Sequence, residues 1–217
     1  MSLNENLIAE LVERKTVADA FRRLQPAKKD QIYRAAVRLF GRYGYDGLSV
    51  DFFCSEAGIS KGSFFQYFPS KSHLLEFTVL VFDDYLSALV AEVRRNEKAV
   101  MARDRLEYLH HSLAVNSRLH PAEEKFFLFA TGGLHHARVI LEGVDLRRYF
   151  EEYIFDIIER GVETREVRDD IPAAITAELV SIMLGGLVSR HYAGEQTRRR
   201  QTYEFLFSFL FDGIKRL

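Results

Sequence analysis

Apolar residues recur along this chain at helical spacing, and no stretch of useful length shows the two-residue alternation of a half-buried strand. Leu7, Leu11, Ala18 and Phe21 form one stripe of Asn4–Leu24, with Ile8 and Val12 beside it, which predicts a single amphipathic helix stopped by Pro26. Ile32, Ala35, Ala36, Leu39 and Phe40 predict a second helix over Lys28–Tyr43, closed by Gly44. Ser49 is placed to cap a short helix that runs to Ala57, and Gly58 supplies the turn after it. Ser60 caps the next helix, which Pro69 stops after Phe68. Ser70 opens a long helix to about Arg95, and Ala102–Ser117, Ala122–Leu141, Leu146–Arg165, Pro172–Tyr192 and Gln196–Leu217 complete an all-α chain. The expected organisation is an N-terminal helical extension (1–26), a three-helix segment (27–74) and a larger helical body (75–217), joined inside the long helix rather than by a linker.

The segment Ser49–Phe68 is the form of a helix-turn-helix, with Ala57-Gly58-Ile59-Ser60 as the turn. A second helix of this length matches the width of a DNA major groove. Its front would present Lys61, Gly62 and Ser63, with Gly62 allowing close backbone approach. Lys61, Ser63 and Gln66 are candidate readers of base edges, while Tyr67 and Lys71 stand where phosphate contacts are expected. Lys28, Lys29, Ser49 and Ser60 complete the DNA-facing candidates. Phe53, Ala57, Ile59 and Phe64 are expected to form the small core between the two helices, with Phe68 anchoring its end.

Charge supports this segment as the one that meets a polyanion. The whole chain has a net charge of −1, yet between Arg22 and Lys71 nine Lys or Arg face four Asp or Glu. The remaining composition mainly excludes. The single cysteine, Cys54, rules out an internal disulfide and fits a cytoplasmic protein. Acidic residues break every apolar run of Met1–Leu24, so no secretory leader is expected. Ile171–Ser189 holds Glu178 and two glycines and reads as a buried helix rather than a membrane span. No Gly-x-Ser-x-Gly, Gly-rich phosphate loop or His-Glu-x-x-His is present, which speaks against an enzyme. His110-His111 and His135-His136 are adjacent pairs that diverge by about 100° on a helix, so neither metal nor cofactor is expected.

The order Ala35-Ala36-x-x-Leu39-Phe40, Gly44-Tyr45, Ser49-Val50, Ala57-Gly58-Ile59-Ser60-Lys61-Gly62, Tyr67-Phe68, Ser70-Lys71-x-x-Leu74-Leu75 resembles the N-terminal domain of TetR-family transcriptional regulators. The resemblance implies an all-helical homodimer with a small DNA-binding domain and a larger domain that takes a small effector. It implies occupancy of a palindromic operator, usually as a repressor. Three positions depart from the pattern. Phe65 replaces a tyrosine whose hydroxyl reaches phosphate, and is therefore expected to pack. Phe52 stands on a face that is ordinarily polar, and Asp51 places a carboxylate near DNA. The extension is longer than the family usually has, and is expected to pack on its own DNA-binding domain or on a neighbouring chain and cover apolar surface such as Phe52.

Two helices near the C-terminus carry more apolar surface than one side of a monomer core needs. Ile175, Leu179, Ile182, Met183 and Gly186 mark one stripe, and Tyr203, Leu206, Phe207 and Leu210 the other, flanked by Phe205 and Phe209. They are the expected dimer seam. Between it and the helix-turn-helix, Phe82, Tyr85, Phe126, Phe127, Phe129, Tyr149 and Tyr153, with His135 as a polar handle, are candidates to line a pocket for a lipophilic or aromatic effector. Two readings stay open beside this one: a regulator with a filled, ligandless core, and a helical protein-interaction module that does not bind DNA.

Overall fold

In the computed structural model, residues 3–132, 144–191, 205 and 207–214 are described. Among them the chain is all-α, with no strand. In chain order the helices are α1 (Glu5–Glu13), α2 (Asp19–Arg22), α3 (Pro26–Tyr43), α4 (Val50–Ala57), α5 (Lys61–Tyr67), α6 (Lys71–Asn96), α7 (Ala102–Leu119), α8 (Pro121–Thr131), α9 (Arg148–Glu163) and α10 (Ala173–His191). Residues 207–214 are helical as well.

The extension is two helices rather than the single one that its stripe predicts. Asn4 caps α1, its side chain accepting from Asn6 and Leu7 N–H. Lys15 then adopts φ 63°, and the N–H groups of Thr16 and Val17 turn back to Leu11 O at 2.9 and 3.2 Å. A left-handed lysine costs about 1–2 kcal/mol. Burying Val17 and Thr16, each 1% exposed, offsets it, and no Gly or Pro advertises the break.

The described chain forms two packing units. The first contains residues 1–87 and 120–146. Its core joins Ile8, Leu11 and Phe21 of the extension to Ile32, Ala36 and Phe40 of α3, Phe53 of α4, Phe64 of α5 and Phe77 of α6. This unit is larger than the 27–74 segment because α8 lies along α3. The two helices meet so closely that a Cβ on Gly41 would stand 2.8 Å from Phe126 N and 3.0 Å from Lys125 C.

The second unit contains residues 88–119 and 147–217. Val93, Leu106, Tyr153, Ile157, Val180 and Leu184 lie at its centre. Phe207 and Leu210 belong to this same core, at 3% and 4% exposed, so they are not the outward-facing seam residues that periodicity suggests. The last helix is apolar on both faces, and Phe205 and Phe209, at 70% and 64% exposed, are the ones turned outward.

Candidate nucleic-acid interface

The helix-turn-helix is built from local signals, each visible as a hydrogen bond. Ser49 Oγ accepts from Phe52 N–H at 3.1 Å and starts α4. Gly58 ends it in the left-handed region, at φ 60° and ψ 45°. A side chain there would be strained by that φ, and its Cβ would also press on Gln31 Nε2 at 3.1 Å. Ser60 Oγ then accepts from Ser63 N–H at 3.0 Å and opens α5.

Side chains from α3 hold this turn. Gln31 Nε2 donates to Ala57 O at 2.9 Å, and Lys28 Nζ donates to Gly58 O at 2.9 Å. Both carbonyls belong to the end of α4, where helix geometry leaves acceptors unpaired and a cation is favourable. Lys28 therefore has a structural partner at the turn, a pairing that sequence spacing does not reveal.

The helix α5 buries Phe64 fully and leaves Lys61, Gly62, Phe65 and Gln66 exposed, with Ser63 and Tyr67 half-buried. Lys61 and Phe65 are one turn apart on one edge, and Gly62 and Gln66 share the adjacent strip. This is the arc that a groove would meet. Phe65 is 52% exposed, its ring touching Phe64 edge-on at 5.1 Å, so the expectation that it packs inward is corrected. Once Phe64 and Phe68 fill the inner face of a two-turn helix, the neighbouring position has no core left to enter.

Electrostatic partners sort the basic candidates. Lys61 Nζ pairs with Asp51 Oδ1 across the turn at 2.9 Å, both side chains well exposed. Lys71 Nζ donates to Tyr45 O at 2.7 Å and sits 4.1 Å over the Tyr45 ring, half-buried. Lys29 is 3% exposed, and its ammonium lies 2.8 and 2.9 Å from the two oxygens of Glu5. A buried, paired ammonium is not available to phosphate, so Lys29 is withdrawn from the DNA-facing set. Its partner lies in the extension, 24 residues away.

The extension packs on its own unit, as one of the two expectations held, but does not cover Phe52. That ring remains 38% exposed and meets Tyr43 edge-on at 5.4 Å.

The aromatic candidates divide between the units. Phe82 meets Phe126 edge-on at 5.1 Å and Tyr85 at a tilt at 5.6 Å, and Phe126 meets Phe129 at 5.9 Å, so in the first unit they fill core. Phe127 is half-buried beside them in sequence on α8. In the second unit Tyr153 is 1% exposed, and its ring lies 4.7 Å beneath the Arg94 guanidinium. Its hydroxyl donates to Glu97 Oε2 at 3.1 Å, and Arg105 Nε donates to the same oxygen at 2.7 Å. Burial, with the Glu97 carboxylate close by, pushes the Tyr153 phenol up. A cleft of about 920 Å³ opens beside this trio, also lined by Lys98, Ile157 and Arg160. Tyr149 is half-buried, with Arg148 over its ring at 4.2 Å. His135 lies outside the described residues.

On α10, Ile175, Leu179 and Ile182 are 49%, 52% and 64% exposed along one stripe, with Met183 half-buried beside them. Gly186 lies further along the same helix, and Tyr203 and Leu206 fall outside the described residues. Among the described residues no group of three or more His, Cys, Asp or Glu is gathered as a metal would require, and no helix is long and apolar enough to cross a membrane.

This geometry has counterparts. The family model described as "Bacterial regulatory proteins, tetR family" matches residues 32–77, from the core face of α3 to the start of α6. The HTH-type transcriptional repressor Rv1474c of Mycobacterium tuberculosis is 27% identical over 180 residues, covering 80% of this chain and 87% of that protein. The fold is shared with a transcriptional regulator of Saccharomonospora viridis solved with choline, at a TM-score of 0.69 and 22% identity over 89% of this chain and 100% of the other. It is shared also with FadR of Bacillus subtilis solved with stearoyl-CoA, at a TM-score of 0.68 and 15% identity over 86% and 99%. With the family model on the helix-turn-helix and its flanking helices, a repressor similar over most of the chain, and the helical fold shared with these regulators, the findings support a TetR-family transcriptional regulator.

Proposed function

We propose that this chain is a DNA-binding transcriptional repressor that occupies a palindromic operator as a homodimer and leaves it when a small effector binds. The observation that carries the reading is the exposed arc of α5. A helix capped by Ser60 and fixed by the Gly58 turn presents Lys61, Gly62 and Gln66 outward while Phe64 holds it from behind. Ser63, half-buried, adds a hydroxyl at the edge of that arc. Gln66 can bond an adenine edge in bidentate fashion, and Lys61 can reach a guanine. Lys71, Tyr67 and the first turn of α4 behind Ser49 are the proposed phosphate contacts.

Dimerisation is proposed through the stripe of Ile175, Leu179, Ile182 and Met183, extended by Phe205 and Phe209. Exposed branched and aromatic side chains in one stripe are costly to leave in water and mark a partner surface. Two-fold symmetry then sets the two α5 helices about 34–36 Å apart, one turn of DNA.

The proposed effector is a small organic molecule with an apolar portion. The aromatic richness of the chain and the kinship in fold with a regulator solved with stearoyl-CoA support an apolar portion. The cleft beside Tyr153, Glu97 and Arg105 would suit a polar end. Because α8 is clamped on α3, an effector that displaces α8 would move the helix-turn-helix with it and shift the population between binding and non-binding states.

The test is selection of duplexes from a random pool followed by a salt titration. A DNA reader loses affinity for the selected duplex steeply and log-linearly with salt. Gln66→Ala should change base preference at one or two positions. A chain that selects no sequence, or whose binding ignores salt, would sink this reading.

A further inference from the structure

We infer that the N-terminal extension is a positioning element for α5, fixing the far end of that helix so that its side chains fall in register with the bases. The inference rests on the proposed reading of DNA by α5.

A helix of seven residues has too few internal hydrogen bonds to hold its own pose, so its contacts set its direction. Its N-terminal end is fixed by the Gly58 turn and the Ser60 cap. Its C-terminal end is held by the extension. Ala18 N–H donates to the carbonyl of Tyr67, the last residue of α5, at 2.9 Å. That carbonyl is among the acceptors a helix end leaves open. Phe21, fully buried, wedges into the angle between α5 and α6, its ring 5.2 Å from Phe68 and 5.0 Å from Phe77.

The extension is itself anchored to the neighbouring helices. The Thr16 hydroxyl donates to Glu76 Oε1 on α6 at 3.0 Å, and Asn4 Nδ2 donates to Asp84 Oδ1 on α6 at 3.2 Å. Glu5 takes the buried Lys29 ammonium of α3. One strap thus spans α3, α5 and α6. The geometry makes its loss a loss of specificity. A helix about 10 Å long that tilts by about 10° at its capped end carries the other end about 2 Å sideways. That is enough to break base-edge hydrogen bonds, which fade beyond about 3.2 Å. Attraction to the phosphates is long-ranged and survives such a shift.

The experiment uses the full chain with Ala18→Pro, Thr16→Val and Thr16→Ser. Proline removes the N–H at a position whose φ of −83° lies close to its own, and valine is isosteric with threonine without the hydroxyl. Affinities for the selected operator and for an unrelated duplex are measured by fluorescence anisotropy at one salt concentration, with circular dichroism and thermal unfolding as the check on fold. The expected result is a 10- to 100-fold loss on the operator for Ala18→Pro and a smaller loss for Thr16→Val. Affinity for the unrelated duplex and the salt slope should stay unchanged, and Thr16→Ser should restore operator binding. An unchanged ratio of specific to non-specific affinity in folded variants overturns the inference. So does loss of both affinities together with the fold in both variants, which would assign the extension to stability alone. A wild-type chain with no preference for any duplex would instead refute the DNA-reading role itself.

Discussion

Replacing Gly41 by alanine tests how tightly α8 is clamped on α3. The added Cβ would stand 2.8 Å from Phe126 N, 3.0 Å from Lys125 C and 3.1 Å from Phe126 Cα, all of them backbone atoms that cannot rotate away. Ordinary contact begins near 3.4 Å, so the helices must separate by about 0.6 Å at their crossing. Phe126 resists this, because its ring is fully buried between Phe82 and Phe129. Over-packing of this kind costs about 1–3 kcal/mol. Against it, alanine in a helix interior returns about 1 kcal/mol over glycine. Because all three opposing atoms are backbone, the clash lies in the upper part of that range, at about 2–3 kcal/mol, and a net loss of about 1–2 kcal/mol is expected. For a chain of this length that lowers Tm by about 2–8 °C. Differential scanning calorimetry reads the shift. A Gly41→Ala protein as stable as wild type, or more so, would show that α8 slides freely along α3. The route proposed from effector to helix-turn-helix would then lose its mechanical basis.

Three further outcomes follow from named contacts. Asp51→Asn should release Lys61 and remove a charge that repels phosphate, raising affinity for unrelated duplex about 3- to 10-fold at low salt and steepening the salt slope; unchanged affinity would mean that Lys61 faces away from DNA. Ile182→Glu, at a position 64% exposed, should leave the fold intact but shift sedimentation from dimer to monomer and abolish operator binding, and a dimer that persists would move the seam elsewhere. Burial raises the Glu124 carboxyl to about 7, opposed by Lys125. A raised acid means that the folded state holds its proton more tightly, so this group subtracts stability as pH rises from about 4.5 to 7. Glu124→Gln should therefore raise Tm at pH 8 and change it little at pH 4, and equal shifts at both would show that the carboxyl titrates normally.

The parts of the interface that sequence made legible are those written locally. Ser49, Gly58, Ser60 and Pro69 each constrain the backbone within three or four residues of themselves, so α4, the turn and α5 sit where the pattern placed them. The same locality explains why α3 and α6 were found with only small shifts at their ends. The extension failed as a single helix because its break at Lys15 is made by contacts that bury Thr16 and Val17 rather than by a turn residue.

Charges and apolar faces behaved differently. Lys28 and Lys29 are neighbours and look alike in sequence, yet one clamps the turn through Gly58 and the other is buried on Glu5. Phe205, Phe207, Phe209 and Leu210 share one apolar stretch, and only packing against α7, α9 and α10 divides them into core and exterior. Phe65 reads as a packing residue in sequence, and it is exposed because Phe64 and Phe68 fill the space behind α5.

The amino-acid sequence by itself determined the all-α class and the helix-turn-helix, because caps, turn glycines and helical periodicity act between residues close along the chain, and the order of these local motifs carried the family resemblance. Tertiary structure decided which basic groups remain open to DNA, which apolar stripe faces outward and what the extension holds. Each of these depends on removing particular groups from water against partners far away in sequence, and neither residue alone carries a mark of the other.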